Sequence, residues 1–190
     1  MANTQTNVTV GKPKANGAIY RAPYGTALPT DATTALTEAF KCLGYVSEDG
    51  FKNAPNISSQ SIKAWGGDPV LNIQTGKEDQ FSVKLIEVLN KEVLAAVYNA
   101  SNVSGDSLDT GITVRANSED SEAAVWVVDI IMTGNVMRRV VIPNGKISSI
   151  AEIVYKDNEA VGYDVTIAAL PGSDGDTHKE YNQKVAAANG

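Results

Sequence analysis

Cysteine and histidine are almost missing from this chain of 190 residues, which has one of each, Cys42 and His178. One cysteine makes no intramolecular disulfide and no cysteine metal cluster, a usage that fits a cytosolic origin. One histidine leaves one position for the base of a Ser-His-Asp or Cys-His arrangement. His178 stands in the polar stretch GSDGDTHKEYNQKVAAANG, a poor place for a base that needs fixed geometry, and it reads as a solvated side chain. Cys42 lies between Phe40 and Val46 with no histidine near it in sequence, and reads as a small core residue. Positive charge is scarce too: 16 Lys and Arg stand against 22 Asp and Glu, a net charge of -6. A chain with no basic stripe is not built to neutralise phosphates. No stretch approaches the ~20 apolar residues of a membrane helix. The opening MANTQTNVTVGKPKANG has no apolar run and so no secretory signal is expected. These absences predict a soluble protein made in a cytoplasm.

Motifs for small-molecule chemistry are missing as well. Neither G-x-G-x-x-G nor G-x-x-x-x-G-K-[ST] occurs. Asp174, Asp176, His178 and Glu180 alternate as calcium ligands can, but Lys179 occupies the position where a calcium loop requires glycine. SGDSLDTG, 104 to 111, is likewise read as acidic turn residues. No catalytic, metal-binding or cofactor-binding residue is assigned, and no enzyme is expected.

What is present is a β-rich middle. Hydrophobic residues make up 43% and charged residues 20%, the balance of a folded chain. Residues 1–35 are rich in Ala, Thr, Asn, Gly and Pro and read as an N-terminal arm; residues 172–190 read as a C-terminal arm. The packed domain is expected over 36–171. Within it VGYDVTIAAL puts Val161, Tyr163, Val165, Ile167 and Ala169 on one strand face, and QFSVKLIE repeats that period with Phe81, Val83 and Leu85. AAVWVVDIIM is apolar on both faces apart from Asp129, the pattern of a doubly buried strand. Gly134-Asn135 then punctuates, and VMRRVVI is its hairpin partner. Pro143-Asn144-Gly145 and Asp157-Asn158 read as further turns. Arg138 and Arg139 project to opposite strand faces, one to solvent and one to an acidic partner. Strands at this spacing predict a sandwich or barrel.

One helix is expected at about residues 90–100. Asn90 can cap its first turn, Leu89 and Leu94 stand at the positions of a hydrophobic staple, and Val93, Leu94, Val97 and Tyr98 form its apolar face. DATTALTEAFKCLGYV is ambiguous. Its pattern gives a short helix after Asp31 followed by a strand, although KCLGYVSEDGF also reads as a strand entering a Ser-Glu-Asp-Gly turn.

The stretch IKAWGGDPVL, 62 to 71, admits three readings: a phosphate loop, a hairpin turn, or a place of close approach by another chain. No helix follows Gly66-Gly67 to hold a phosphate, and Asp68 repels one. The glycine pair therefore reads as the φ > 0 positions of a hairpin behind an anchoring Trp65.

LGYVSEDGF (43 to 51), IKAWGGD (62 to 68) and EIVYKDNEAVGYDVTIAALP (152 to 171), in that order, resemble the major tail tube proteins of long, non-contractile-tailed bacteriophages. The resemblance spans most of the chain. It implies a mainly β fold, a two-sheet sandwich with a flanking helix and extended arms, whose copies form six-membered rings that stack into a hollow tube. It favours a loop up to about Thr37 and a strand from Phe40 over a helix at 31–46. Candidate subunit contacts are Trp65, Gly66, Gly67, Asp68, Tyr20, Tyr24 and Tyr181. Candidate lumen-facing acids are Glu48, Asp49, Glu78 and Asp79. The implied partners are further copies of the chain and the tail terminator, tape measure and baseplate proteins, with DNA passing the lumen unbound, in a virion tail assembled in the host cytoplasm. A related virion protein that forms a ring without polymerising, a tail completion or baseplate-hub component, stays open, as does an ordinary metabolic domain.

Overall fold

A computed structural model describes residues 3–15 and 17–186; the extreme ends of both expected arms, 1–2 and 187–190, and residue 16 lie outside them. The strands in chain order are β1 (Gly11–Pro13), β2 (Ile19–Pro23), β3 (Lys41–Cys42), β4 (Val46–Lys63) and β5 (Pro69–Leu85). Helix α1 (Lys91–Tyr98) follows, then β6 (Val103–Ser104), β7 (Thr113–Val114), β8 (Ala124–Met132), β9 (Val136–Ile150), β10 (Tyr163–Ala169) and β11 (Lys179–Lys184). The main sheet runs β3-β2-β8-β9-β10-β5-β4, with β1 continuing the β2 side of β8 and β11 pairing β9; β6 and β7 pair apart from it.

The sheet becomes a two-layer sandwich because β9 changes partners along its length. Its first part, Val136 to Val141, pairs with β11, and its last part, Gly145 to Ile150, with β10. The switch falls at Pro143-Asn144-Gly145, expected as a turn. The chain bends there without ending the strand, and the β8 register slips between Ala124 and Trp126. Trp126 makes this corner. Its indole N–H donates to the Gly145 carbonyl at 3.1 Å, and a Cβ on Gly145 would stand 2.5 Å from the indole Cδ1, so only glycine fits.

Trp126 and Val128 from one layer meet Phe81, Val83, Val165 and Ile167 from the other in one buried core, which α1 joins through Val93, Leu94, Ala96 and Val97. Asn90 caps the helix as expected, its side chain accepting the Glu92 N–H at 3.0 Å. Leu89 stays 64% exposed, so no hydrophobic staple closes over Leu94. Tyr98 meets Tyr163 edge-on with ring centroids 5.7 Å apart, and burial pushes the Tyr163 phenol far above its usual range.

β8 is apolar on both faces because both are covered. On the outer face Val125 and Val127 join Ala22, Phe40 and Val141, with Leu28, Leu36, Tyr20 and Tyr181 packed against them. The cover is the segment between β2 and β3. It forms no helix. Asp31 accepts the N–H groups of Thr33 and Thr34, both at 2.6 Å, and Arg139 donates to the carbonyls of Asp31 (3.3 Å) and Thr34 (2.7 Å), which a helix would have used for its own ladder.

Arg138 and Arg139 diverge as the alternation requires. Arg139 is buried and grips Asp129, its direct cross-strand partner, with bonds of 2.7 and 2.9 Å, while Arg138 reaches Asn182 at 2.7 Å and Glu180 at 3.5 Å near the surface. Gly134 (φ 78°) and Asn135 (φ 57°) make the tight β8–β9 turn.

Much of the C-terminal segment is built into the sheet. β11 pairs with β9 from Lys179 to Lys184, and His178, read as solvated, lies edge-on against Phe81, with centroids 5.1 Å apart, and bonds to Asp79. Lys179 reaches Asp174 and, at 3.7 Å, Asp176.

Candidate assembly surface

Among the described residues, no three His, Cys, Asp or Glu side chains are arranged to hold a metal ion, and no helix is long and apolar enough to cross a membrane. The feature that stands out is the hairpin of β4 and β5, which pair from Val46–Leu85 to Lys63–Pro69. Only its root belongs to the core. Phe51 stacks on Phe81 with centroids 5.2 Å apart, and Phe81, Val83 and Leu85 are buried, but from Glu78 to the tip and back to Asn53 no residue is.

The distal ribbon nonetheless carries large apolar side chains. Ile57, Ile62, Val70, Leu71 and Ile73 are 44 to 63% exposed, and Trp65 is fully exposed at 107%. The pairs Ile62–Leu71 and Gln60–Ile73 put Ile62, Leu71 and Ile73 on one face. Two register shifts, at Ser58/Ser59 and Ile62/Lys63, leave one extra residue each on β5 and pin the pairing. An isolated two-stranded ribbon is at best marginally stable in water, and clustered exposed apolar side chains mark contact surfaces.

The tip brings Trp65, Gly66, Gly67 and Asp68 together. Ala64 N–H donates to the Asp68 carbonyl at 2.8 Å and Gly67 N–H to that of Ala64 at 3.0 Å. Gly66 and Gly67 have φ of 115° and 101°, and a Cβ on either would meet nothing within 4 Å. Backbone conformation, not space within this chain, is what calls for glycine. Trp65, expected to anchor the turn, is its most exposed side chain.

The other expected contacts lie elsewhere. Tyr20 and Tyr181 are half-buried against the outer face of β8, where burial raises the Tyr20 phenol, and Tyr24, just past β2, is exposed. Of the four acids, Glu48, Asp49 and Glu78 are exposed. The Ser-Glu-Asp-Gly segment is not a turn: it bulges within β4, where the register jumps between Val46 and Phe51 and Gly50 has φ 73°. Asp79 is different, at 2% exposure. It accepts from Asn53 (2.7 Å) and Thr177 (2.9 Å) and pairs with His178, so its charge is turned into the fold and not outward. Burial pushes the Asp79 carboxyl up, but these hydrogen bonds and the His178 charge outweigh it and hold it below its ordinary value.

The exposed apolar residues Ile57, Ile62, Val70, Leu71 and Ile73 were missing from the sequence-based candidates. In NISSQSI the two isoleucines stand five positions apart, on opposite strand faces, so no alternation marks them.

The described residues form a mainly β fold with one α-helix and a long ribbon that stands clear of the core and exposes large apolar side chains, a surface of the kind that marks a protein contact. Over residues 1–188 the chain matches the family model of the phage tail tube protein, and it belongs to that family. No curated protein is similar enough in sequence to be matched with it. It is a structural component of a bacteriophage tail.

Proposed function

We propose that the chain assembles into six-membered rings that stack into the hollow tube of a phage tail, through which the genome reaches the host. The observation that supports this reading is the distal β4–β5 hairpin, whose Trp65, Ile62, Leu71 and Ile73 are left exposed by the described residues of its own chain. β4 is also the last strand of the main sheet, and an edge of 18 residues invites pairing with another copy, which closes a ring and removes the exposed edge. Tyr24 and the terminal segments add contacts between rings, with Gly66, Gly67 and Asp68 at the hairpin tip. Glu48, Asp49 and Glu78 are proposed for the lumen, where negative charge keeps DNA moving; Asp79 is not. The role is structural, with no catalytic step and no cofactor. The tail terminator, tape measure and baseplate proteins are its partners, and assembly takes place in the host cytoplasm.

Negative-stain electron microscopy of the concentrated protein tests this. Long hollow tubes of uniform width are expected, and a variant with residues 57–77 replaced by a short turn should stay folded without forming them. Rings that never stack would assign the chain to a ring-forming virion component instead. A strict monomer at high concentration would sink the proposal.

A further inference from the structure

The groove beside the root of the hairpin has a volume of about 590 Å³ and is lined by Pro13, Lys14, Gly17, Cys42, Tyr45 and Glu87, among others. Building on the assembly reading above, we infer that it is the receptor for the hairpin tip of a second copy, with Trp65 as the inserted side chain.

The groove is built into the fold. Gly17 and Gly44 sit in it at φ 132° and 73°, backbone conformations that side-chain-bearing residues rarely adopt. A Cβ on Gly17 would stand 2.4 Å from the Tyr20 hydroxyl and one on Gly44 would strike the Glu87 carboxyl, so neither position can fill the space. Pro13, Gly17, Gly44 and Tyr45 leave room for an aromatic side chain between them, and tryptophan is enriched among the side chains that anchor interfaces in well-packed pockets.

Charge and geometry agree. Trp65 is flanked on the ribbon by Lys63 and Asp68, and the groove offers one charge of each sign, Glu87 and Lys14. The Lys14 side chain is 40% exposed beyond its 3.4 Å contact with Asp129. The groove is at the start of β4, next to Tyr45 and Val46, and Trp65 is just past its far end. Eighteen residues at ~3.3 Å each span about 60 Å at most. Because the ribbon is paired over its whole length, Trp65 cannot fold back to its own groove. A second copy displaced along the ribbon by up to that length presents its groove to the tip.

Insert and receptor are different patches of one chain, so the contact is heterologous, the kind that a filament repeats from copy to copy. A single tip seated in a groove of this volume is a small contact beside the ~1,000 Å² that a stable pair buries. The contact therefore holds only where many copies act together, and it produces no dimers in dilute solution.

Cys42, the single cysteine, provides the test because it lines the groove. In assembled Ala64→Cys protein, a mild thiol oxidant should join residue 64 of one copy to Cys42 of the next, giving a ladder of covalent oligomers on non-reducing gels. Ala64→Cys/Cys42→Ser should give no ladder. Tubes that form normally yet stay uncrosslinked would overturn the inference and leave the assembly reading standing; absence of tubes would count against the assembly reading itself. Acrylamide quenching of the unaltered protein is a second readout. Trp126 is buried before and after assembly, so the quenchable emission reports Trp65. It should fall at least several-fold on assembly, and undiminished quenching in intact tubes would also overturn the inference.

Discussion

Replacing Arg139 with alanine tests the account of how the two faces of β8 are held. The guanidinium is 1% exposed and the Asp129 carboxylate 0%. Removing Arg139 leaves Asp129 buried with only the 3.4 Å contact to Lys14, and strips the Asp31 and Thr34 carbonyls of their shared donor. Breaking a buried ion pair from one side costs about 3–5 kcal/mol. For a chain of this length that is a fall in melting temperature of roughly 6–20 °C. Urea unfolding of the unassembled protein gives the number directly, and the loss should persist at high salt because the pair is shielded from the ionic atmosphere. Arg138→Ala, which loses only the half-exposed contacts to Asn182 and Glu180, should cost no more than about 1 kcal/mol. Removing both Asp129 and Arg139 with apolar residues of similar volume should recover much of the loss, apart from about 1–3 kcal/mol for the orphaned carbonyls. If Arg139→Ala and Arg138→Ala proved equally mild, the ion pair would not be holding the 31–34 segment and the reasoning would fail.

The two tryptophans should part company. Trp126→Ala should cost about 3–5 kcal/mol of folding stability, whereas Trp65→Ala should leave the melting temperature of the unassembled chain within experimental error while impairing tube formation. Gly145→Ala should lower the melting temperature through the clash with Trp126, by about 1–3 kcal/mol, and an unchanged value would mean that the β9 corner yields easily. Acid should act through Asp79. Its folded carboxyl titrates below the unfolded value of ~3.9, so its contribution is complete above that pH and is lost as pH falls through the folded value. The gap in melting temperature between the unaltered protein and Asp79→Asn should be widest from pH 5 to 7 and close below about pH 4; a constant gap would contradict this. Asn90→Ala should cost about 1 kcal/mol at the start of α1, measured in the same denaturation series.

The strands that face one core were legible because alternation survives in sequence. Tyr163, Val165, Ile167 and Ala169 lie as the period of two requires, and the Arg138/Arg139 divergence follows from the same rule. The doubly apolar run at 124–132 announced a strand covered on both sides, but not that the segment between β2 and β3 was the cover. That segment has helical spacing at Leu36, Ala39 and Phe40, and Arg139, distant in sequence, captures the carbonyls the helix would need. β11 gave no signal because it is held by backbone pairing to β9 and by one half-buried aromatic, Tyr181, so its composition matches a free tail. Asp79 looked like any surface acid, since its partners Thr177 and His178 are about a hundred positions away. At the hairpin, turn and strands were readable. That the distal half outruns its own core is a matter of length against the position of Phe81, which no local pattern contains.

β9 has a mechanical consequence. One uninterrupted backbone from Val136 to Ile150 belongs to both layers, with β8 and β11 along its first part and β10 along its last. A pull between the β1–β2 side of the sandwich and the hairpin is therefore carried lengthwise along this strand and spread over the ladders beside it, which must shear together instead of opening one rung at a time. A subunit strung in this way resists stretching most along β9, where covalent backbone carries the load from one layer to the other.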